Sequence, residues 1–304
     1  MNQRLSDSKK IMIIIGLLAC STLIGFYDRV QPKIATGSAV SVLPKSSILV
    51  IPIEGMISTA GSEWSPSMVD IVVDQLDKAT DSKTVKAVVL RVNSPGGTVG
   101  ASQEIFDAIL RFKETSQKPV IVSIMDIGAS GAYWISLAAD AIFSHSGSIV
   151  GSLGVITQTL DLTEVPKKYG VNVRTYKAGQ NKDLLNPWRN TTRDERMIIQ
   201  SMLDNVHEQF KDTLIKHRNI TKERASKIAD GRVFSGEMAL KEGLIDYIGS
   251  FYDATTYAGK LVGLENPNIV FPNQGIKDWV NSFRAMVSNQ FSLGQFFGHS
   301  QLMY

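Results

Sequence analysis

Apolar runs alternate with amphipathic stretches through the first half of this chain, and that order limits the fold more than any other feature. Ile48–Ile53, Val85–Val92 and Val120–Met125 read as strands, the second β-branched and buried-looking. Between them, Met68–Ala79 carries apolar residues at 68, 69, 71, 72 and 76. Ala101–Phe112 places Ile105, Phe106, Ile109 and Leu110 on one helical face. Ser130–Ala139 reads as a further helix, and Ala141–Phe143, Ile149–Ile156 and Val171–Tyr176 as further strands. Strand–helix–strand repetition requires crossovers, so an α/β fold with a mostly parallel sheet is expected. Pro52 argues for a strand edge or end.

The second half is helical. Thr192-Arg193-Asp194-Glu195 has capping-box spacing ahead of an amphipathic run to about Lys216. Thr221–Ala229 and Ser235–Glu242 follow as shorter helices, ended by Asp230-Gly231 and Gly243. Past Leu264 the pattern is lost, apart from a possible helical stripe through Ile276, Val280, Phe283, Val287 and Phe291. That stripe fits packing on a neighbour or contact with a membrane surface.

Near the N-terminus, residues 11–27 are apolar and almost uncharged, spanning about 25 Å as a helix. This is slightly short of a hydrocarbon core of about 30 Å. Arg4, Lys9 and Lys10 precede it, which keeps residues 1–10 cytoplasmic and exports the remainder. A cleaved signal peptide and a lipobox at Leu17-Leu18-Ala19-Cys20 are the rival readings. The apolar run continuing over Ser21–Phe26 favours an uncleaved transmembrane anchor. Residues 28–46, rich in Gly, Ser, Pro and Thr, read as a linker.

The net charge of +3, without a basic block interleaved with aromatics, gives no support to nucleic-acid binding. One cysteine, Cys20, excludes an intramolecular disulfide. The four histidines form no His-Glu-x-x-His or Cys/His cluster, so a zinc site is not expected.

Chemistry concentrates at two strand ends. Val120–Met125 runs into Gly128-Ala129-Ser130-Gly131-Ala132-Tyr133, where a serine meets a helix N-terminus among small neighbours. Leu90–Ser94 runs into Pro95-Gly96-Gly97. A nucleophile beside exposed backbone N–H groups is what acyl transfer needs. The plainer readings are a serine N-cap and a loop needing positive φ. No histidine is paired near these loops, and His145 alone reads as structural. A desolvated lysine is the other base available to a serine. Lys177 and Lys182, in Tyr176–Asp183, are both candidates on composition.

Five motifs occur in one order: Arg91–Gly97, the Ser130 turn, Val150-Gly151-Ser152-Leu153-Gly154-Val155, Gly179-x-x-Lys182-Asp183, and Asp230–Gly236 with Ala239–Asp246. Together they resemble the short form of the signal peptide peptidase A family of Ser-Lys peptidases, over about residues 47–262. The resemblance implies a Clp protease/crotonase-like spiral of ββα units with a helical C-terminal part, leaving 263–304 as a tail. It implies Ser130 as nucleophile, Lys182 as general base, Gly97 and Gly131 as oxyanion-hole donors, and Ser152 as the residue orienting the lysine. Gly128 and Ala132 exchange Ala and Gly relative to the family's commoner turn, and both remain small. The resemblance further implies peptide substrates such as residual signal peptides, no cofactor, and a homo-oligomer whose neighbouring subunits share Ser and Lys. With the anchor, it places the catalytic part outside a bacterial inner membrane. A SohB-like or phage-type protease of the same clan, a crotonase-like acyl-CoA enzyme and a non-catalytic membrane scaffold are the alternatives. The export segment disfavours the phage and acyl-CoA versions, and the complete Ser-Lys set disfavours the scaffold.

Overall fold

The computed structural model describes residues 46–61 and 66–272. The expected anchor at 11–27, Cys20 and the stripe from Ile276 to Phe291 lie outside these residues. Among the described residues no helix is long and apolar enough to cross a membrane.

The chain order is β1 (Ser47–Glu54), α1 (Met68–Asp81), β2 (Val85–Ser94), α2 (Val99–Ser116), β3 (Val120–Ala129), α3 (Gly131–Ser136), β4 (Ala141–Ser144), β5 (Ile149–Gly151) and α4 (Glu164–Tyr169). Then follow α5 (Arg193–Arg218), α6 (Lys222–Ile228), β6 (Val233–Ser235), α7 (Gly236–Lys241), β7 (Tyr247–Ile248), α8 (Phe251–Leu261) and β8 (Asn268–Val270). One sheet runs β6-β5-β3-β2-β1-β8, with β4 joining β3 to β7. Its pairs are parallel except β5 with β6.

The central strands are apolar without alternation because both faces are covered. Leu49, Ile51 and Ile53 join a cluster with Leu76 of α1, Ile105 and Ile109 of α2, Trp134 of α3 and Phe210 of α5. Ile48 and Val50 join the opposite cluster, where Ala254 and Ala258 of α8 pack. Pro52 falls where β1 has a free edge, since β8 pairs only with Ser47–Leu49. Its missing N–H therefore costs no ladder bond. The capping box at α5 forms as its spacing predicts. Thr192 Oγ1 accepts from Glu195 N at 3.2 Å, and the Glu195 carboxylate accepts from Thr192 N at 2.8 Å.

A break in β3 positions the site. Val92 pairs with Ile124, but Ser94 pairs with Gly128, so β3 carries extra residues between them. Asn93 Oδ1 accepts from Ile127 N at 3.2 Å and covers the break. Before it β3 pairs with β4; after it β3 pairs with β5. A bulge of this kind bends a strand and re-aims its end.

Several expectations are corrected. The strand expected over Ile149–Ile156 stops at Gly151, and the helix expected over Ser130–Ala139 spans only Gly131–Ser136. No strand forms over Val171–Tyr176; residues 171–180 are all exposed, and no sheet edge of the protomer meets them. The chain also keeps its order past Leu264. Strand β8 pairs with β1, but three residues are too few to show a period in sequence.

Candidate active site

Ser130 stands between β3 and α3 with φ 52° and ψ −124°. A non-glycine residue at positive φ costs about 1–3 kcal/mol and persists only where its surroundings fix it. Here they do. Ser130 N donates to Gly151 O at 2.7 Å, and Trp134 N donates to Ser130 O at 2.9 Å. Residues Gly131–Ser136 are all buried, and Trp134 packs on Phe210 with ring centroids 4.6 Å apart. The hydroxyl does not cap the helix, so the N-cap reading fails. Ser130 is half-exposed, and among the described residues its Oγ has no hydrogen-bond partner.

Gly96 and Gly97 are pressed against this turn. Ser94 Oγ accepts from Gly96 N at 3.1 Å. A Cβ on Gly96, whose φ is +99°, would fall 2.7 Å from Gly131 N and 2.9 Å from Ser130 Cβ. Ile57 holds Gly97 from behind. Ile57 N donates to Gly96 O and Thr98 N donates to Ile57 O, both at 2.9 Å. That parallel bridge turns Gly97's own N–H away from Ile57. Gly131 is the first helical residue, where an N–H has no intrahelical acceptor. A Cβ on Gly131 would lie 3.3 Å from Gly97 N and 2.2 Å from Ser102 Oγ. Two amides thus converge beside Ser130, and among the described residues neither donates to a backbone carbonyl. Such a pair can hold a developing oxyanion.

Ser152 follows Gly151, the acceptor for Ser130 N, and so lies at the same strand end. Its φ is 53°, and its N donates to Arg232 O at 2.8 Å. Its hydroxyl has no partner among the described residues.

Beyond Leu153 the chain leaves the core as an arm that returns at α5. Ile156, Leu160, Tyr169 and Tyr176 are 70–88% exposed, unusual for side chains of this size. Lys182 lies in the arm's last loop, where its N donates to Gly179 O at 3.2 Å. It is exposed, and among the described residues no hydrogen bond or ion pair joins it to Ser130, Ser152 or any carboxylate. Helix α5 meets α3 at Phe210, whereas the arm enters at Arg193, about 25 Å up the axis at 1.5 Å per residue. The protomer thus gathers Gly97, Ser130, Gly131 and Ser152, while among the described residues no hydrogen bond draws Lys182 to them.

Lys177 is engaged elsewhere: its Nζ bonds Asp183 Oδ1 at 2.5 Å and Gln180 O at 2.8 Å. Asp183 also receives Arg189, which reaches on to Glu195. Hydrogen bonds from Arg189, then from Lys177, hold the Asp183 carboxyl well below the usual carboxylate range. Arg189, then the Thr192 backbone, brings Glu195 down to about 2. Sequence reasoning saw Glu195 only as a helix cap. The overlooked signal is one acid six residues before Arg189 and another six after it.

The described histidines stay away from the serine. His145 occupies the exposed β4–β5 turn, His207 Nε2 meets Ala229 O at 2.6 Å, and His217 packs edge-on to Phe106. Among the described residues no group of His, Cys, Asp or Glu could hold a metal ion.

The family model for peptidase family S49 matches residues 112–265, and that for Clp protease matches residues 53–147. A Methanocaldococcus jannaschii protein named as a protease is 38% identical over 198 residues, 65% of this chain and 63% of that one. An Enterococcus faecium protein named as a signal peptide peptidase is 36% identical over 180 residues, 59% of this chain and 52% of that one. Protease 4 of Haemophilus influenzae is 36% identical over 219 residues, 71% of this chain and 35% of that one. The match thus covers less than two thirds of the length of each of these relatives.

Proposed function

The chain belongs to peptidase family S49, and from that premise we propose that it is a serine-type endopeptidase working through Ser130 and Lys182. The observation that carries the reading is Ser130 held at φ 52° beside the converging N–H groups of Gly97 and Gly131. Neutral Lys182 Nζ takes the Ser130 hydroxyl proton as Oγ attacks the peptide carbonyl carbon. The carbonyl oxygen becomes an oxyanion held by the two amides. The ammonium of Lys182 returns its proton to the leaving amine as the C–N bond breaks, leaving an acyl-enzyme on Ser130. Water then gives a proton to Lys182 and attacks the ester carbon; the collapse releases an acid and restores the Ser130 hydroxyl. Ser152 orients the lysine.

Lys182 comes from a neighbouring subunit of a homo-oligomer. The exposed apolar residues of the arm and the unpaired segment 171–176 support this, since each lacks burial within one protomer. Residues 11–27 anchor the chain in a bacterial inner membrane with the catalytic part outside. The substrates are peptides met at that surface, residual signal peptides among them.

Cleavage of a fluorogenic peptide by the full chain in detergent tests the reading. Ser130→Ala and Lys182→Ala should abolish turnover while Lys177→Ala retains it. For the intact enzyme kcat/KM should rise with pH through an apparent pKa below the free-lysine value of about 10.4. Full turnover by Ser130→Ala would end the proposal.

A further inference from the structure

The arm raises a problem that packing does not solve. A general base must be held in place, yet the ten residues 171–180 are all exposed and pair with no strand. We infer that Arg189 is the positioning residue of the Lys182 loop, clamping Asp183, the next residue in the chain, to Glu195 at the start of α5. This rests on the reading of Lys182 as the base.

The guanidinium uses its donors in two directions. Nε bonds Asp183 Oδ2 and Nη2 bonds Asp183 Oδ1, each at 2.8 Å, a two-pronged contact on one carboxylate. Nη2 also reaches Asp183 O at 3.1 Å, so side chain and backbone are gripped together. On the other side Nη1 bonds Glu195 Oε2 at 2.9 Å, and Nη2 contacts Glu195 Oε1. Glu195 is itself fixed to Thr192 N by the capping box. The side chains of Asp183 and Glu195 are only 11% and 5% exposed, on a segment whose other residues are exposed or half-buried. Buried carboxylates are tolerated only when paired and hydrogen-bonded, so these fix one loop geometry. Lys177 and Arg189 balance Asp183 and Glu195, and the four charges close without Lys182. Asp183 is thereby kept from pairing with the lysine beside it, and Lys182 is held out toward solvent and a neighbour. A lysine at position 189 would keep the charge but lose the planar fork.

The experiment measures kcat and KM for the full chain in detergent, with oligomeric state and melting temperature followed in parallel. Arg189→Met should lower kcat about 100-fold, the scale of a small displacement of a catalytic group, with KM changed less than about threefold. Asp183→Asn should match it, and the double variant should be no worse than either single, because both remove one clamp. Arg189→Lys should recover part of kcat. Wild-type kcat in Arg189→Met alongside an inactive Lys182→Ala overturns the clamp and leaves the base assignment standing. Loss of assembly or a raised KM alone, in both Arg189→Lys and Asp183→Asn, also overturns it by reducing Arg189 to scaffolding. Wild-type activity in Lys182→Ala instead strikes the base assignment itself.

Discussion

The turn at Ser130 and the arm that carries Lys182 are built by opposite means. Around Ser130, β3, α3 and the Gly96-Gly97 loop are buried or pressed together, and an unfavourable φ is held by two backbone bonds and a packed helix. Along the arm, large apolar residues face water, and order comes from caps, turns and one cluster of four charges. One half of the proposed dyad is thus set by the protomer's core. The other is set locally and, in the proposed function, completed by a second copy. On that proposal each protomer carries a preformed nucleophile that stays idle until it assembles.

The largest expected effect tests that division directly. Ser130→Ala and Lys182→Ala should each lower kcat by up to about a million-fold, the scale of a lost serine nucleophile. Mixed in equal amounts with subunit exchange, they should regain about a quarter of wild-type activity, because a quarter of adjacent pairs then combine an intact serine with an intact lysine. No recovery in a verified mixed oligomer would place both groups in one subunit and dissolve the contrast.

Next come two glycines of similar sequence appearance. A Cβ at Gly97 would fall 1.8 Å from Ile57 O, so Gly97→Ala must push the Ile57 segment and the loop apart. The expected loss is about 1–3 kcal/mol of stability and about 100-fold in kcat as the amide is displaced. Gly179 has φ +97° but nothing within 4 Å of its added Cβ. Gly179→Ala should strain only the arm's own loop, by about 1–2 kcal/mol, which local opening of the arm relieves, so the protomer's melting temperature should stay nearly unchanged. Comparable melting losses at the two positions would mean that the arm is packed after all.

The contrast also explains what the sequence revealed. Strands β1, β2 and β3 were legible because their apolar runs are long and satisfied inside the chain. The junctions at Gly97 and Ser130 were legible because small residues at a strand end leave a local trace. The bend in β3 was not, since it depends on where Ser94 meets Gly128 across the sheet. Val171–Tyr176 read as a strand because its alternating valines suit a sheet, but none of the protomer's sheet edges pairs with it. The Arg189 cluster was hidden because even six-residue steps through an irregular loop match no helix or strand pattern, and Glu195 already had an explanation as a cap.

A smaller effect separates core from arm by stability. Ile121 is fully buried in β3, and Ile121→Ala should cost about 2–5 kcal/mol in denaturant unfolding. Tyr176 is 88% exposed, so Tyr176→Ala should leave protomer unfolding within about 0.5 kcal/mol and weaken self-association, read by sedimentation. Equal unfolding losses would place Tyr176 in a packed interior.

The smallest effect is a pH dependence confined to the arm. Asp183 and Glu195 both have carboxyls depressed by Arg189, Glu195 to about 2. A group depressed on folding stabilises fully above its unfolded pKa, about 4 for these acids, and loses that contribution as pH falls through its folded value. Protection of residues 176–190 against hydrogen exchange, corrected for intrinsic rates, should therefore be flat from pH 8 to about 5 and decline below about 4. The Ser130 turn has no such acid. Its buried neighbour Tyr133 is pushed upward by burial and stays neutral throughout, so protection of α3 should persist until the whole domain unfolds. In Arg189→Met the two acids return toward ordinary values, so little pH-linked stability remains: arm protection should be lower throughout and its decline below about pH 4 shallower. If arm protection in the intact protein instead titrates between pH 6 and 8, a group other than these carboxylates holds the loop, and the electrostatic account of the arm gives way.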